Sequence, residues 1–303
     1  MNKENHIEKE FQSKFRELLI KTFKFTIDFC YEHNLTYYTA YGTTLGTIRH
    51  GGLIPWDDDI DIFMPRNDYN KLLELSQEFQ NTNYEIVDFR LNSDYYLPFA
   101  KICDKSTTIL EYETLPMTLG VYVDIFPLDF AEEDLESIEE IKKQYFDITY
   151  KLLRASRIYT YRYIFSQVLN FHPLRFFEAL VDTLYYKRRR NVYRKKTLEK
   201  ENSFTQNISA KRWLVAYGDF DVRRIAYESE WFKEVSKMPF ERLEVVVPSH
   251  YDKYLTFQYG DYMTFPPIEE QVSRHPHFYI NLSERLSRKE VMDRAKRGEK
   301  YVL

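Results

Sequence analysis

At 303 residues the chain can bury a sizeable core, either as one large domain or as a catalytic domain with a helical appendage. Its 43 Lys and Arg nearly balance 47 Asp and Glu, which excludes a global field that would draw it onto nucleic acid, and 26 Tyr and 23 Phe beside eight Gly exclude a disordered chain. Two cysteines, Cys30 and Cys103, are too few for a disulfide framework or a four-cysteine zinc site and read as buried thiols of a reducing compartment.

Taken in chain order, residues 5–33 repeat apolar positions at helical spacing (Phe11, Phe15, Leu18, Leu19, Phe23, Ile27) and predict a long amphipathic helix. Lys21 and Lys24 interrupt its apolar run short of a signal-peptide core, and no segment reaches the ~20 apolar residues of a membrane span. The expected location is the cytoplasm, with contact at the inner face of the membrane left open. A short strand follows over 35–40. Gly42 breaks the pattern, Thr43 or Thr44 caps a helix through Ile48, and Gly51-Gly52 ends it. Residues 60–64 alternate as a strand, and a helix follows Pro65 through Phe79. Further strands are expected over 84–89, 96–102, 107–112 and 121–126, giving an α/β (α+β) mixed sheet with helices packed on it. From about 135 to 202 the chain reads as helical and charged; beyond it come a strand at 243–247, a helix over 249–259 stopped by Gly260, and the turn Pro266-Pro267. The expected organisation is a catalytic domain over 1–133, a helical insertion over 134–230, and a C-terminal part, 231–303, packing on the catalytic domain.

The chemistry concentrates in Trp56-Asp57-Asp58-Asp59-Ile60-Asp61. Four carboxylates within five residues repel one another unless a cation or solvent relieves them. Ile54, Pro55, Trp56, Ile60 and Ile62 hem them in, which a freely solvated acidic loop would not need. Strand alternation would put Asp57, Asp59 and Asp61 on one face as metal ligands and turn Asp58 away. Hard oxygen donors suit Mg²⁺, or Mn²⁺. Just upstream, Gly42-Thr43-Thr44 stands at a strand-to-helix turn whose N–H groups and hydroxyls can receive phosphate oxygens, and Arg49 could meet a pyrophosphate bidentately. Positioning and charge neutralisation are the components that phosphoryl transfer needs.

The run YGTTLGTIRHGGLIPWDDDIDIFMPR over 41–66 closely resembles the signature of the LicD family of phosphocholine transferases, related to fukutin and fukutin-related protein. PFAKI at 98–102, VDIFPLD at 123–129 and YGDYMTFPP at 259–267 extend the likeness over about 35–130 and 238–280. The resemblance implies a nucleotidyltransferase-like fold of the polymerase-β type, with Asp59 and Asp61 as the Asp-x-Asp pair and Asp124 as the third carboxylate from a later strand. It adds Lys101, a lysine inside an apolar strand that either snorkels to an edge or serves a buried anion, and places His277 ahead of His50 and His275 as a proton shuttle, because it follows the Pro-Pro turn. The implied reaction moves phosphocholine, or a similar phospho-substituent, from CDP-choline or a related CDP-alcohol donor to a sugar hydroxyl. The acceptor would be a cell-surface glycan such as lipopolysaccharide or a teichoic acid precursor, polyprenyl-linked in one version, and CMP would leave. Nucleotidyl transfer with pyrophosphate release, and a non-catalytic glycan-binding homologue, stay open beside it.

Residues 176–196 carry a different signal: an aromatic and aliphatic run from Phe176 to Tyr186, then Lys187, Arg188, Arg189, Arg190, Arg194, Lys195 and Lys196. The arrangement fits an interfacial helix beside a polybasic patch resting on anionic lipid, or a solvated charged helix packed on the domain.

Overall fold

The helical periodicity at the start of the chain is realised as α1 (Lys3–Glu32), whose Phe15, Leu19 and Phe23 are buried against one face of a mixed sheet. The computed structural model describes residues 3–131, 134–204, 210–217, 226–273 and 275–303. In chain order β1 (Tyr38–Thr39), α2 (Tyr41–His50), β2 (Asp61–Pro65), α3 (Arg66–Glu74), β3 (Tyr84–Val87), β4 (Ala100–Asp104), β5 (Thr108–Leu110) and β6 (Tyr122–Ala131) follow. The main sheet runs β1-β2-β6-β4-β3, with β2 and β6 parallel and the other pairs antiparallel.

Alternation along the strands divides the core. Ile62 and Met64 of β2, with Val123 and Ile125 of β6, join α1 in the larger cluster. Phe63 and Leu128, from the opposite face, pack with Tyr38, Leu45 and Tyr254 in a second. Full burial of such side chains contributes ~1.5–3 kcal/mol each. Asp61 and Asp124 share the second face with Phe63 and Leu128, so the fold directs its carboxylates into the layer beneath α2.

Helices α4 (Leu135–Ser156), α5 (Tyr161–Leu169), α6 (Pro173–Val181) and α7 (Arg190–Glu201) account for the helical stretch; a π-turn, Asp182–Tyr186, and a short 3-10 turn join α6 to α7. Strands β7 (Arg212–Leu214) and β8 (Ala226–Glu228) come next, and both add to the main sheet, β7 pairing with the C-terminal end of β6. The expected insertion over 134–230 thus contributes two strands to the sheet that it was read as interrupting. They are three residues each, too short to show a period. Residues 205–209 and 218–225 of that insertion lie outside the described residues.

The C-terminal part opens with a hairpin, β9 (Val235–Phe240) and β10 (Leu243–Pro248), followed by α8 (Tyr251–Tyr259) ending at Gly260. Beyond it β11 (Tyr279–Asn281) pairs with β5 and, in parallel, with β12 (Tyr301–Val302), the two strands flanking α9 (Arg288–Ala295). That β5–β11 pairing carries residues 275–277 to the mouth of the acidic cluster.

Candidate active site

Strand register builds the centre of the site. Asp61 stands opposite Asp124 in the parallel β2–β6 pair, and Lys101 opposite Asp124 in the antiparallel β4–β6 pair. Backbone bonds fix the row: Ala40 N–H donates to the Asp61 carbonyl at 3.0 Å, and Asp124 N–H to the Ile60 carbonyl at 2.8 Å. Asp59, Asp61 and Asp124 each bring one carboxylate oxygen within 4.8 Å of the others. Lys101, almost wholly buried, donates to Asp124 Oδ1 at 2.6 Å, stands 3.7 Å from Glu111 Oε1, and lies 3.4 Å above the centre of the Tyr122 ring. The buried anion expected for Lys101 is therefore the Asp124 carboxylate.

Burial pushes the Asp59 and Asp61 carboxyls well above the usual carboxylate range; the charges of Asp57 and Asp124 push Asp59 further, and those of Asp59, Asp124 and Asp57 push Asp61. Burial likewise raises Asp124, against the pull of Lys101. Lys101, even with His275 beside Asp59, leaves this cluster short of positive charge. Three hard oxygen donors converging on one point fit a Mg²⁺ or Mn²⁺ ion, which would relieve the repulsion.

Residues 57–60 form no strand, because the chain enters β2 only at Asp61, so the alternating faces expected for Asp57 to Asp61 do not apply. Asp58 is not turned away. It accepts hydrogen bonds from Ser273 Oγ at 2.6 Å and pairs with His275 Nδ1 at 2.8 Å, while His275 Nε2 lies 3.3 Å from Asp59 Oδ2. The Asp58 hydrogen bond holds the His275 imidazolium to about 9, and Asp58 itself, which burial alone would raise, is kept below its ordinary value by His275 and Ser273. His277 is more distant, 3.7 Å from Asp58 Oδ2, and burial lowers its pKa. Asp57 joins Asp58, Asp59 and His275 in a second group of potential ligands.

The turn at Gly42 also differs from expectation. Helix α2 begins at Tyr41 after Ala40, with no side-chain cap, so Thr43 and Thr44 lie inside its first turns. Their hydroxyls face the protein: Thr43 Oγ1 accepts from the Asp61 N–H at 2.8 Å, and Thr44 Oγ1 bonds Thr39 at 3.0 Å. They position β2 and are not turned outward to receive phosphate. Gly42 leaves room for the Asp57 carboxylate, since a β-carbon there would lie 2.5 Å from Asp57 Oδ2 and push that side chain aside. Arg49 is likewise engaged elsewhere, donating to the carbonyls of Tyr262 and Thr264 at 2.8 and 3.3 Å and lying over the Phe265 ring, which ties the 262–265 segment to α2.

Above the carboxylates opens a cavity of about 480 Å³, walled by Tyr41, Phe99, Tyr112, Tyr122, Phe126 and Tyr217. His275 and Glu111 stand at its sides, and the Tyr122 hydroxyl donates to Glu111 Oε1 at 2.7 Å. Linear order gives no reason to select Tyr122 or Tyr217, because aromatic residues are frequent throughout; the one signal for Glu111 is its place just after β5, the strand that follows the Lys101 strand in sequence.

Residues 34–162 match the family described as LicD/FKTN/FKRP, nucleotidyltransferase domain. The chain is 27% identical over 257 residues to the lipopolysaccharide cholinephosphotransferase LicD of Haemophilus influenzae, an alignment covering 81% of this chain and 89% of that protein. Shorter likenesses, each 34% identical, link it to an uncharacterized protein of Rickettsia prowazekii over 22% of this chain and 26% of that one, and to an uncharacterized protein of Rickettsia typhi over 36% and 37%. The nucleotidyltransferase-domain match lies over the carboxylate row and a cholinephosphotransferase aligns along most of the chain, so the protein is similar to the LicD family, with the family's domain over residues 34–162.

Proposed function

We propose that the protein transfers phosphocholine from a CDP-activated donor to a sugar hydroxyl of a cell-surface glycan, with release of CMP. The observation that carries this reading is one cavity with a floor of three converging carboxylates and walls of aromatic rings. Aromatic faces attract a quaternary ammonium, and an acidic floor suits a metal-bridged phosphate. The Haemophilus relative is named a lipopolysaccharide cholinephosphotransferase, which supports the same substrate class. Asp61 and Asp124 in adjacent parallel strands, with Asp59 beside them, support the polymerase-β type of nucleotidyltransferase fold. Cys30 and Cys103, both buried free thiols, suit a cytoplasmic setting.

Asp59, Asp61 and Asp124 would hold the Mg²⁺, with Asp57 alongside. When bound, the ion neutralises negative charge on the donor's phosphate oxygens and on the departing CMP. The chain's own groups do the rest. Lys101 holds Asp124 in place through their 2.6 Å bond, and His275, held by Asp58, braces Asp59. Backbone N–H groups in the first turn of α2 would be offered to donor phosphate, apart from that of Tyr41, which donates to Tyr254 Oη. The aromatic walls bind the trimethylammonium group and keep water from the phosphorus. Asp124 would either assist the metal or accept the acceptor hydroxyl's proton as the new phosphorus–oxygen bond forms and the bond to CMP breaks.

The test is a donor screen with purified protein and Mg²⁺. CDP-choline with a glycan acceptor should yield CMP and a phosphocholine-bearing glycan. Pyrophosphate from a nucleoside triphosphate, with no CMP from any CDP-alcohol, would overturn the reading in favour of nucleotidyl transfer.

A further inference from the structure

The α5–α6 hairpin is inside out. Its protein-facing side is polar and paired: Asp182, almost fully buried, accepts from Arg154 Nε and Tyr159 Oη, each at 2.6 Å, and Glu178 accepts from Arg157 at 2.6 Å. Its solvent-facing side is hydrocarbon. Leu174, Phe177 and Val181 follow one another at helical spacing along α6 and are 84%, 61% and 44% exposed. Phe165, Val168 and Leu169 on the adjoining α5 are exposed as well, and Phe171, at the tip between the helices, is 90% exposed. Exposed apolar residues scattered singly need no explanation, but two neighbouring helical stripes and the loop joining them form a contiguous patch, which does.

The charges around the patch identify its occupant. Glu178 and Asp182 are the only carboxylates between residues 161 and 190, and both are held in ion pairs, Asp182 buried with Arg154 and the half-buried Glu178 with Arg157. Arg162, Arg175, Lys187, Arg188 and Arg189 are all exposed. The outward side thus carries aromatic and aliphatic groups in a positive frame with no unpaired negative side chain from this segment. Apolar side chains entering the acyl boundary, with Lys and Arg meeting headgroup phosphates, is the arrangement of a peripheral helix on an anionic bilayer. No helix among the described residues is long and apolar enough to cross a membrane, so the contact is interfacial.

We infer that the α5–α6 hairpin docks the protein on an anionic lipid surface, with Phe171, Leu174 and Phe177 entering the acyl boundary and the Lys187–Arg189 cluster meeting the headgroups. The site begins upstream of the polybasic helix that the sequence suggested. The apolar contact lies over residues 165–184, and the basic residues from Arg194 onward follow the α7 helix, where Arg194 itself bonds the Ser93 carbonyl. The inference is independent of the reaction proposed above.

The test uses the full-length purified protein and flotation with two kinds of vesicle, phosphatidylcholine alone and phosphatidylcholine with phosphatidylglycerol. The protein should float with the anionic vesicles and be released by high salt. Neutralising Lys187, Arg188 and Arg189 together should lower partition by roughly a hundredfold. The double variant Leu174→Ser, Phe177→Ser should lower it by about tenfold or more while leaving the far-ultraviolet circular dichroism and the melting temperature unchanged. Failure to float, or equal flotation of all variants, would overturn the inference. So would self-association in lipid-free solution that the serine variant abolishes, because the patch would then be an interface between copies.

Discussion

Two regions of this molecule reverse the usual distribution of polarity, in opposite senses. The row formed by Asp59, Asp61 and Asp124 draws negative charge into the interior, whereas the α5–α6 hairpin puts Leu174, Phe177 and Phe171 into solvent and keeps Asp182 inside. Neither arrangement is stable against ordinary water without help. In the first the missing component is positive charge, because Lys101 and the His275 imidazolium face Asp57, Asp58, Asp59, Asp61 and Asp124. In the second it is an apolar medium. The comparison teaches that a local departure from the apolar-inside rule identifies a ligand by the sign of what is lacking.

The substitutions that most directly break this comparison should have opposite effects on activity and stability. Asp61→Asn should reduce CMP release by about a thousandfold, since metal-centred charge stabilisation is worth several kcal/mol. The same change should raise the melting temperature of the metal-free protein by a few degrees, because it removes one of the repelling buried carboxylates. Raised carboxyl pKa values mean that protonation favours the fold: this stability is present below the ordinary carboxylate range and is lost as pH rises through the raised values. The gap in melting temperature between metal-free Asp61→Asn and the parent should therefore widen from about pH 5 to about pH 8, and added Mg²⁺ should close it.

Lys101→Met should act in the opposite direction on stability. It leaves the buried Asp124 carboxylate beside two other acids without its partner, a loss of about 3–5 kcal/mol measurable by denaturant unfolding. An unchanged midpoint would show that Asp124 is already protonated. Gly42→Ala should have a smaller effect, roughly tenfold on turnover, because its new methyl displaces the flexible end of Asp57 and not backbone. Phe177→Ser should be the quietest: within about ±0.5 kcal/mol in unfolding free energy despite the loss of a large aromatic, since that side chain is already in solvent.

Much of the fold was legible in the sequence wherever one period ran long enough. The 3.6-residue repeat of Phe15, Leu19 and Phe23 gave α1, and the apolar runs gave β2, β3, β4, β5, β6 and β10 within a few residues. Strands β7 and β8 were not legible because three residues cannot display alternation, and what selects them is pairing partners distant in sequence, the C-terminal end of β6 for β7 and β7 in turn for β8. At the site, Asp59, Asp61 and Asp124 were singled out and are brought together, and Lys101 was too, although its partner could be named only from the register of β4 on β6. The roles expected of Thr43, Thr44, Arg49 and Asp58 depended on which way each side chain turned. That is decided by tertiary partners, Asp61 N–H for Thr43, the 262–264 carbonyls for Arg49 and His275 for Asp58, none of them near in sequence. The aromatic walls were hidden for a simpler reason, since every segment offers tyrosines.

The most direct test of the central claim is a Mn²⁺ titration followed by electron paramagnetic resonance, comparing the parent protein with Asp61→Asn, Asp124→Asn and Phe177→Ser. The carboxylate row predicts saturable Mn²⁺ binding in the parent and in Phe177→Ser, displaced by Mg²⁺ and lost in both Asn variants. Equal binding in all four proteins, or none in the parent, would contradict it.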